Sequence, residues 1–164
     1  MDDLFKSGTA ILSDCGLYRY RLTRRWADGP TCGFIMLNPS TADASQDDPT
    51  IRRCIGFARR ENCGALIVVN LFAYRATKPI ALLDASDPVG PHADHHLLDA
   101  IAEVDGPLIA AWGSWNRGTR AADVKAMIGR HCVCLGKTND GHPRHPLYVK
   151  GDAPLIPLLE PKPC

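Results

Sequence analysis

The 164-residue sequence lacks the features of several common protein classes. Its apolar runs are far shorter than the roughly 20 residues that a membrane-spanning helix needs. Its N-terminal residues, MDDLFKSGTA, have neither the basic start nor the apolar stretch of a secretory signal. The formal net charge is only +1, so the chain has no general basic character that would bind nucleic acid through charge alone. We therefore expect a cytoplasmic protein that does not associate with membranes.

Familiar catalytic and nucleotide-binding motifs are missing as well. No Gly-x-Ser-x-Gly elbow, Walker phosphate loop or glycine-rich dinucleotide loop occurs. This absence counts against a nucleophile-elbow hydrolase, a P-loop enzyme and a dinucleotide-dependent enzyme.

Cysteine and histidine give little support for a metal site. The seven cysteines are an odd number spread along the chain, and we expect reduced thiols. Cys132 and Cys134 form a close pair, but no second pair stands at zinc-finger spacing. His92, His95 and His96 fall on a predicted helix without the carboxylate motif of a zinc-peptidase helix. The sequence predicts neither a metal nor a cofactor.

The composition is that of a globular protein. Hydrophobic residues make up 45% of the chain and charged residues 23%, enough for a well-formed core. A chain of this length fits one domain. We expect a single domain over residues 1–164, with a core over about 9–150 and a proline-rich tail over about 151–164.

An N-terminal β-hairpin is predicted between Thr9 and Trp26. A polar turn precedes the alternating run LYRYRL, in which Tyr18, Tyr20 and Leu22 would share one face of a half-buried strand.

Four short apolar runs follow the hairpin, at residues 33–37, 65–72, 107–112 and 132–135. Continuous apolar runs suit strands that are buried on both faces, which is typical of a parallel sheet. Helical patterns lie between them, from Pro49 to Arg60, from about His92 to Val104 and from about Arg117 to Gly129. The predicted fold class is α/β, a three-layer α/β/α arrangement with a mainly parallel central sheet.

Ligands of such sheets bind at the carboxyl ends of the strands. Each predicted core strand is followed there by a polar loop of specific composition. The candidate site is therefore expected among residues 38–43, 70–75, 113–116 and 136–148.

These loops carry a resemblance to a known family. The strings FIMLNPSTAD, DDPTIRRC, VVNLFAYRATKP, AAWG and GHPRHPLY together closely resemble the bacterial and phage family called domain of unknown function 1643. The similarity runs from about Tyr18 to Tyr148 and implies a family without an established activity.

The order of elements is also similar to that of the uracil-DNA glycosylase superfamily. Its members have a Gly-x-Asn-Pro-like or Gly-x-Asp-Pro-like loop after the first core strand and an Asn ending the second. A Gly follows their third strand and a His-Pro-Ser-like loop their fourth. The corresponding residues here are Leu37-Asn38-Pro39-Ser40, Asn70, Gly113, and either His145-Pro146 or His142-Pro143. Neither His-Pro pair is followed by Ser, which argues against insertion of this loop into DNA.

This resemblance implies cleavage of an N-glycosidic bond. Such a reaction needs one group that places a water and a donor that supports the anion developing on the base. Asn38 would place the water and His145 would support the base oxygen. Asp43 and Asp47 are candidates for a general base or a ribose contact, or are solvated loop acids, whereas Asp48 before Pro49 is expected to be a helix N-cap.

The remaining candidates would bind the substrate. Asn70 ends an apolar strand, and its amide could read a base edge or bond to a neighbouring loop. Tyr74 could stack on a base, and Arg75 could meet a phosphate. The other predicted substrate-binding residues are Pro39, Ser40, Thr41, Gly113, His142 and Arg144.

Two functions stay open at this point. One is an enzyme that acts on a nucleobase or nucleotide, by N-glycosidic hydrolysis or related base processing. The other is a non-catalytic module that binds a nucleotide or nucleic acid. The small net charge suits a nucleobase, a free nucleotide or a single-stranded nucleic acid at least as well as a duplex.

Overall fold

The protein has a mixed α/β fold, seen in a computed structural model that describes residues 7–115 and 118–159. The strands are β1 (Ser7–Leu12), β2 (Arg19–Arg25), β3 (Thr31–Met36), β4 (Ala65–Asn70), β5 (Leu108–Ala110), β6 (Val133–Cys134) and β7 (Ile156–Pro157). The helices are α1 (Pro49–Arg60), α2 (Ala93–Ala102) and α3 (Arg120–Ile128), with short 3₁₀ helices at Pro79–Leu83 and Pro146–Tyr148.

All seven strands form one sheet in the order β1-β2-β4-β3-β5-β6-β7. The four central strands, β4, β3, β5 and β6, are parallel to one another. The outer strands β1, β2 and β7 pair antiparallel. The prediction of a mainly parallel sheet is therefore correct only for the four central strands, which the apolar runs form. Polar or short strands, whose sequences do not show how they pair, extend the sheet on both sides.

The N-terminal hairpin is confirmed, but its facing residues differ from the prediction. Leu12 pairs with Arg19 and Ile11 with Arg21, so Tyr20 is an extra residue in a β-bulge. Tyr18 and Tyr20 stack on each other, whereas Leu22 packs in a different cluster beside α1. The prediction that all three share a face was wrong because a bulge interrupts the alternation.

Two hydrophobic clusters lie on opposite faces of the central strands. In β3, Phe34 belongs to the cluster that α1 covers, and Ile35 belongs to the cluster that α2 and α3 cover. Both side chains are fully buried. This two-sided burial explains why the central strands are apolar at nearly every position.

All three predicted helices are present, but the accuracy with which the sequence predicted their ends differs. The bounds of α1 are confirmed, since Asp48 caps its N-terminus and Pro49 is its first residue. α2 begins after His92, and α3 begins at Arg120, whereas the predicted starts were His92 and Arg117. Asn116, the end of the third predicted loop, lies outside the described residues. Arg117, the predicted start of α3, also lies outside them. No helix within 7–115 or 118–159 has the length and apolar character to cross a membrane.

Candidate functional site

The four predicted loops meet at one edge of the sheet. The chain leaves β3 toward α1 on one face and leaves β5 toward α3 on the other, so the two neighbouring strands define a topological switch point. A cleft of about 640 Å³ opens there. This volume is within the range of small-molecule sites, roughly 300 to 1,000 Å³.

Residues from every predicted loop line this cleft. Among the predicted site residues, those in its wall are Asn38, Ser40, Thr41, Asn70, Gly113, Arg144 and His145. Residues at or just after the carboxyl ends of the four parallel strands thus line a common cavity, as the strand pattern predicted.

The two predicted catalytic aspartates lie outside the cleft wall. The Asp43 carboxylate accepts hydrogen bonds from the backbone N–H groups of Ser45 and Gln46, at 2.9 and 2.8 Å. These bonds lower the pKa of Asp43, which makes it a weaker base. Asp47 instead forms an ion pair with Arg24. The structure therefore gives both carboxylates a local structural role.

Four other predicted residues lie beside the cleft without lining it. Pro39 is fully buried, and its carbonyl accepts a hydrogen bond from Ala76. Tyr74 packs edge-on against Tyr18. Arg75 lies near the Ser40 carbonyl, with its Nε 3.4 Å from that oxygen, and His142 closes a tight turn with Thr138.

Asn70 is the most unusual residue of the cleft. Its side chain is only 6% exposed, and both Oδ1 and Nδ2 are buried without a hydrogen-bond partner among the described residues. Leaving a buried amide unbonded costs on the order of 1 to 3 kcal/mol. The alternative that Asn70 bonds to a neighbouring loop has no support here, and the amide is free to meet a ligand.

Asn38 is held in place by its own amide group. Its Nδ2 donates to the carbonyls of Pro39 at 3.1 Å and Ala76 at 2.8 Å. Both amide hydrogens are thereby used, and Oδ1 accepts no hydrogen bond from a described residue. Because the orientation of the amide is fixed, Asn38 presents an acceptor to the cleft.

His145 has a defined tautomer. Its Nδ1 accepts a hydrogen bond from the backbone N–H of Leu147 at 3.2 Å, so the ring proton of the neutral form is on Nε2. Burial lowers the pKa of His145, with Asp48 acting in the opposite direction. At neutral pH the ring is therefore an uncharged donor.

Gly113 shapes the wall beside His145. Its φ of +77° is in the region that favours glycine, and an added Cβ would lie 3.7 Å from the His145 Cβ. The backbone turns sharply there, directly after β5. Trp112 and Trp115 on either side both line the cleft, and Trp112 is also buried in the hydrophobic cluster that α2 and α3 cover.

Asp48 is a third carboxylate candidate, which the sequence assigned to capping alone. It does cap α1, since Oδ1 accepts from the Ile51 N–H at 2.9 Å. It also lines the cleft and is close enough to affect His145. The sequence did indicate that Asp48 would lie at the ligand-binding edge, because a helix that follows a central strand begins at that edge.

Arg19 lines the cleft and was not predicted at all. The side chain is 2% exposed, Nη1 donates to the Ala42 carbonyl at 2.7 Å, and Nε has no partner among the described residues. Burial lowers the pKa of Arg19 to about 10, so it remains a cation at neutral pH. The bulge at Tyr20, which changes the alternation of β2, gave no recognisable sequence signal.

No group of three or more metal-ligating side chains occurs in the described parts of the chain. The six cysteines in those parts are free thiols, and Cys164 lies outside them. The wall of the cleft combines aliphatic and aromatic side chains with amides, hydroxyls, one carboxylate and cations.

Comparisons with known proteins identify a family. The model of the family described as "Protein of unknown function (DUF1643)" matches residues 19–147. No curated protein and no solved structure matches the chain. The matched range begins at Arg19 and includes Asn38, Asp48, Asn70 and His145. Since it covers most of the sequence, the chain belongs to the DUF1643 protein family.

Proposed function

We propose that the cleft recognises the nucleobase of a nucleoside or nucleotide and that the protein hydrolyses its N-glycosidic bond. The observation that carries this proposal is the buried, unpartnered amide of Asn70. An amide presents one acceptor and one donor side by side, which complements the edge of a base. A ligand with such an edge would satisfy both atoms and offset their desolvation.

Aromatic side chains support recognition of a flat ligand. Trp112 and Trp115 line the cleft near Gly113, and the exposed Tyr148 lies at its rim. Rings of this kind stack on bases irrespective of sequence. The combination of a stacking surface with one oriented amide favours a nucleobase over a purely aliphatic ligand.

The water side of the reaction would use Asn38 and Asp48. Oδ1 of Asn38 has a fixed orientation and would accept a hydrogen bond from the attacking water. The Asp48 carboxylate has one oxygen at the helix cap, and the other is available to take the one proton that the water loses as it attacks. We assign the base role to Asp48 because Asp43 and Asp47 do not line the cleft.

The base side would use His145. The water oxygen bonds to C1′ as the C1′–N bond breaks, and the electron pair leaves with the base. Nε2–H of the neutral ring donates to the base oxygen on which negative charge develops. The proton taken from water returns to the departing base, so the products are the free base and the sugar with a C1′ hydroxyl.

A uracil-DNA glycosylase-like, three-layer arrangement is part of this proposal. It is supported by the order of the parallel strands, β4-β3-β5-β6, and by helices packed on both faces of them. It is also supported by Asn38, Asn70, Gly113 and His145, which the resemblance placed at strand ends and which line one cavity.

The test is a mass-spectrometric screen of the purified protein against nucleosides, nucleotides and single-stranded oligonucleotides, both modified and unmodified. The proposal predicts release of a free base that depends on Asn38 and His145. Retention of an intact nucleoside or nucleotide without release would favour the non-catalytic binding module. Failure of every nucleobase compound to bind would overturn both readings.

A further inference from the structure

We propose that Arg19 anchors a phosphate group and that the ligand of the cleft is a free mononucleotide; this rests on the base recognition proposed above. Arg19 is a buried cation in the cleft wall whose Nε lacks a partner among the described residues. Among the described residues, its side chain makes one hydrogen bond, from Nη1 to the Ala42 carbonyl. The edge formed by Nε and Nη2 is the one with which a guanidinium binds two oxygens of an oxyanion at once.

The cost of burying Arg19 is not offset by a direct ion pair. Asp48 is the carboxylate that most stabilises its charge, yet no ion pair between them occurs in the described chain. Arg75 is also close enough to affect Arg19, and Arg24 is paired with Asp47. The two positive charges of Arg19 and Arg75 outnumber the single negative charge of Asp48 by one. The region is therefore suited to a bound anion.

The start of α1 contributes to the same subsite. Pro49 and Thr50 line the cleft at the N-terminus of this helix, which has 12 residues. The Asp48 cap satisfies the N–H of Ile51, and the Thr50 N–H donates to no acceptor in the described structure. A free backbone N–H at the positive end of a helix attracts phosphate oxygens. The hydroxyls of Ser40 and Thr41 in the cleft wall are further donors.

The depth of Arg19 decides the form of the ligand. Arg19 is only 2% exposed, so its side chain is better suited to a group at the end of a ligand than to one in the middle of a chain. A phosphodiester within a strand continues in both directions and would need an open groove. The geometry therefore favours a phosphate monoester, as in a nucleoside monophosphate, over single-stranded nucleic acid.

Isothermal titration calorimetry of the full-length protein tests this inference. The probes are inorganic phosphate, nucleosides, their 5′- and 3′-monophosphates, and a single-stranded oligonucleotide. We expect at least one monophosphate to bind about tenfold or more tightly than its nucleoside. Arg19→Lys, which keeps the charge but loses the two-donor edge, should remove this advantage and leave nucleoside affinity unchanged. Arg21→Lys is the matched control, because Arg21 is on the same strand but pairs with Glu103.

The outcomes separate the two proposals. Equal affinity for nucleoside and monophosphate, an advantage that survives in folded Arg19→Lys, or tighter binding of the oligonucleotide overturns the phosphate anchor and leaves base recognition intact. Binding of inorganic phosphate that depends on Arg19, without any nucleoside binding, supports the anchor and overturns base recognition. If Arg19→Lys does not fold, the Arg19 Nε–H resonance of the wild type is followed by NMR. A shift on adding the monophosphate but not the nucleoside supports the anchor, and no shift overturns it.

Discussion

Arg24 of β2 forms an ion pair with Asp47 of the loop that joins β3 to α1, with 2.9 Å between Nε and Oδ1. The Arg24 side chain is fully buried, and that of Asp47 is 8% exposed. The same guanidinium donates to the backbone carbonyls of Thr23, Asp43 and Gln46. The loop is therefore folded around Arg24, which also positions Asp48 at the cleft.

Replacing Asp47 should destabilise the whole protein. Asp47→Ala leaves Arg24 with its carbonyl contacts but without its counter-charge, and breaking a buried pair in this way costs about 3 to 5 kcal/mol. We expect a loss of about 3 kcal/mol in the free energy of unfolding, measured by urea denaturation. A variant that keeps wild-type stability but loses activity would instead restore Asp47 as a catalytic candidate.

The pKa of His145 gives a prediction with a defined sign. Burial lowers this pKa, so the folded state disfavours the proton that the unfolded chain accepts near pH 6.5. The stability contribution of neutral His145 is therefore complete above pH 6.5 and is lost as the pH falls toward its folded pKa. NMR titration should show a ring midpoint below that of an exposed histidine.

The control for this titration is His96, whose pKa burial also lowers. His145→Gln should remove one shifted midpoint and reduce the fall in unfolding free energy on acidification. His96→Gln should leave the His145 midpoint in place. A His145 midpoint at or above 6.5 would contradict the neutral donor on which the base side of the mechanism depends.

The sequence predicted the central fold well because the signals there are local. Asp48 with Pro49 marks a helix start, and the apolar runs mark β3, β4 and β5. Once the strands are parallel, their carboxyl ends must share an edge, which brought Asn38, Asn70 and His145 to one cleft. No detail of side-chain packing was needed for this result.

The residues that were missed depend on interactions distant in sequence. A bulge at Tyr20 changes the direction of the neighbouring side chains, and Arg19 consequently lines the cleft. Asp47 seemed a free loop acid because nothing nearby in sequence shows that Arg24, more than twenty residues earlier, is its partner. Pairing across such separations is set by the folded chain and is not visible as a local pattern.

Substitutions of Asp48 can separate its role as a helix cap from its proposed role as the catalytic base. Asparagine caps helices about as well as aspartate, so the capping contribution to the free energy of unfolding should change by no more than about 0.5 kcal/mol in Asp48→Asn. Loss of the carboxylate should lower the rate of base release by on the order of a hundredfold or more. Asp48→Ala should lose both activity and about 1 kcal/mol of stability. Unchanged turnover in folded Asp48→Asn would eliminate Asp48 as the base.

Asn70 provides the sharpest distinction between a ligand-reading amide and a structural one. A structural amide is bonded within the protein, and its removal destabilises the fold, whereas Oδ1 and Nδ2 of Asn70 have no partner in the described structure. Asn70→Leu keeps the branched outline of the side chain and removes two desolvated polar atoms. It should therefore raise the free energy of unfolding by about 1 kcal/mol. The same variant should lose nucleobase binding, since neither a donor nor an acceptor remains.

Asn38→Ala is the matched comparison, because its Nδ2 is bonded to the carbonyls of Pro39 and Ala76. Removing these bonds should lower the free energy of unfolding by about 1 to 2 kcal/mol. Urea denaturation of both variants without ligand, followed by calorimetric titration with nucleosides, measures the two effects separately. The proposal predicts that Asn70→Leu is more stable than the wild type and does not bind nucleobases, whereas Asn38→Ala is less stable. This result would show that the Asn70 amide binds the ligand and destabilises the free protein. A fall in the stability of Asn70→Leu like that of Asn38→Ala would make Asn70 a structural residue and remove the observation on which base recognition rests.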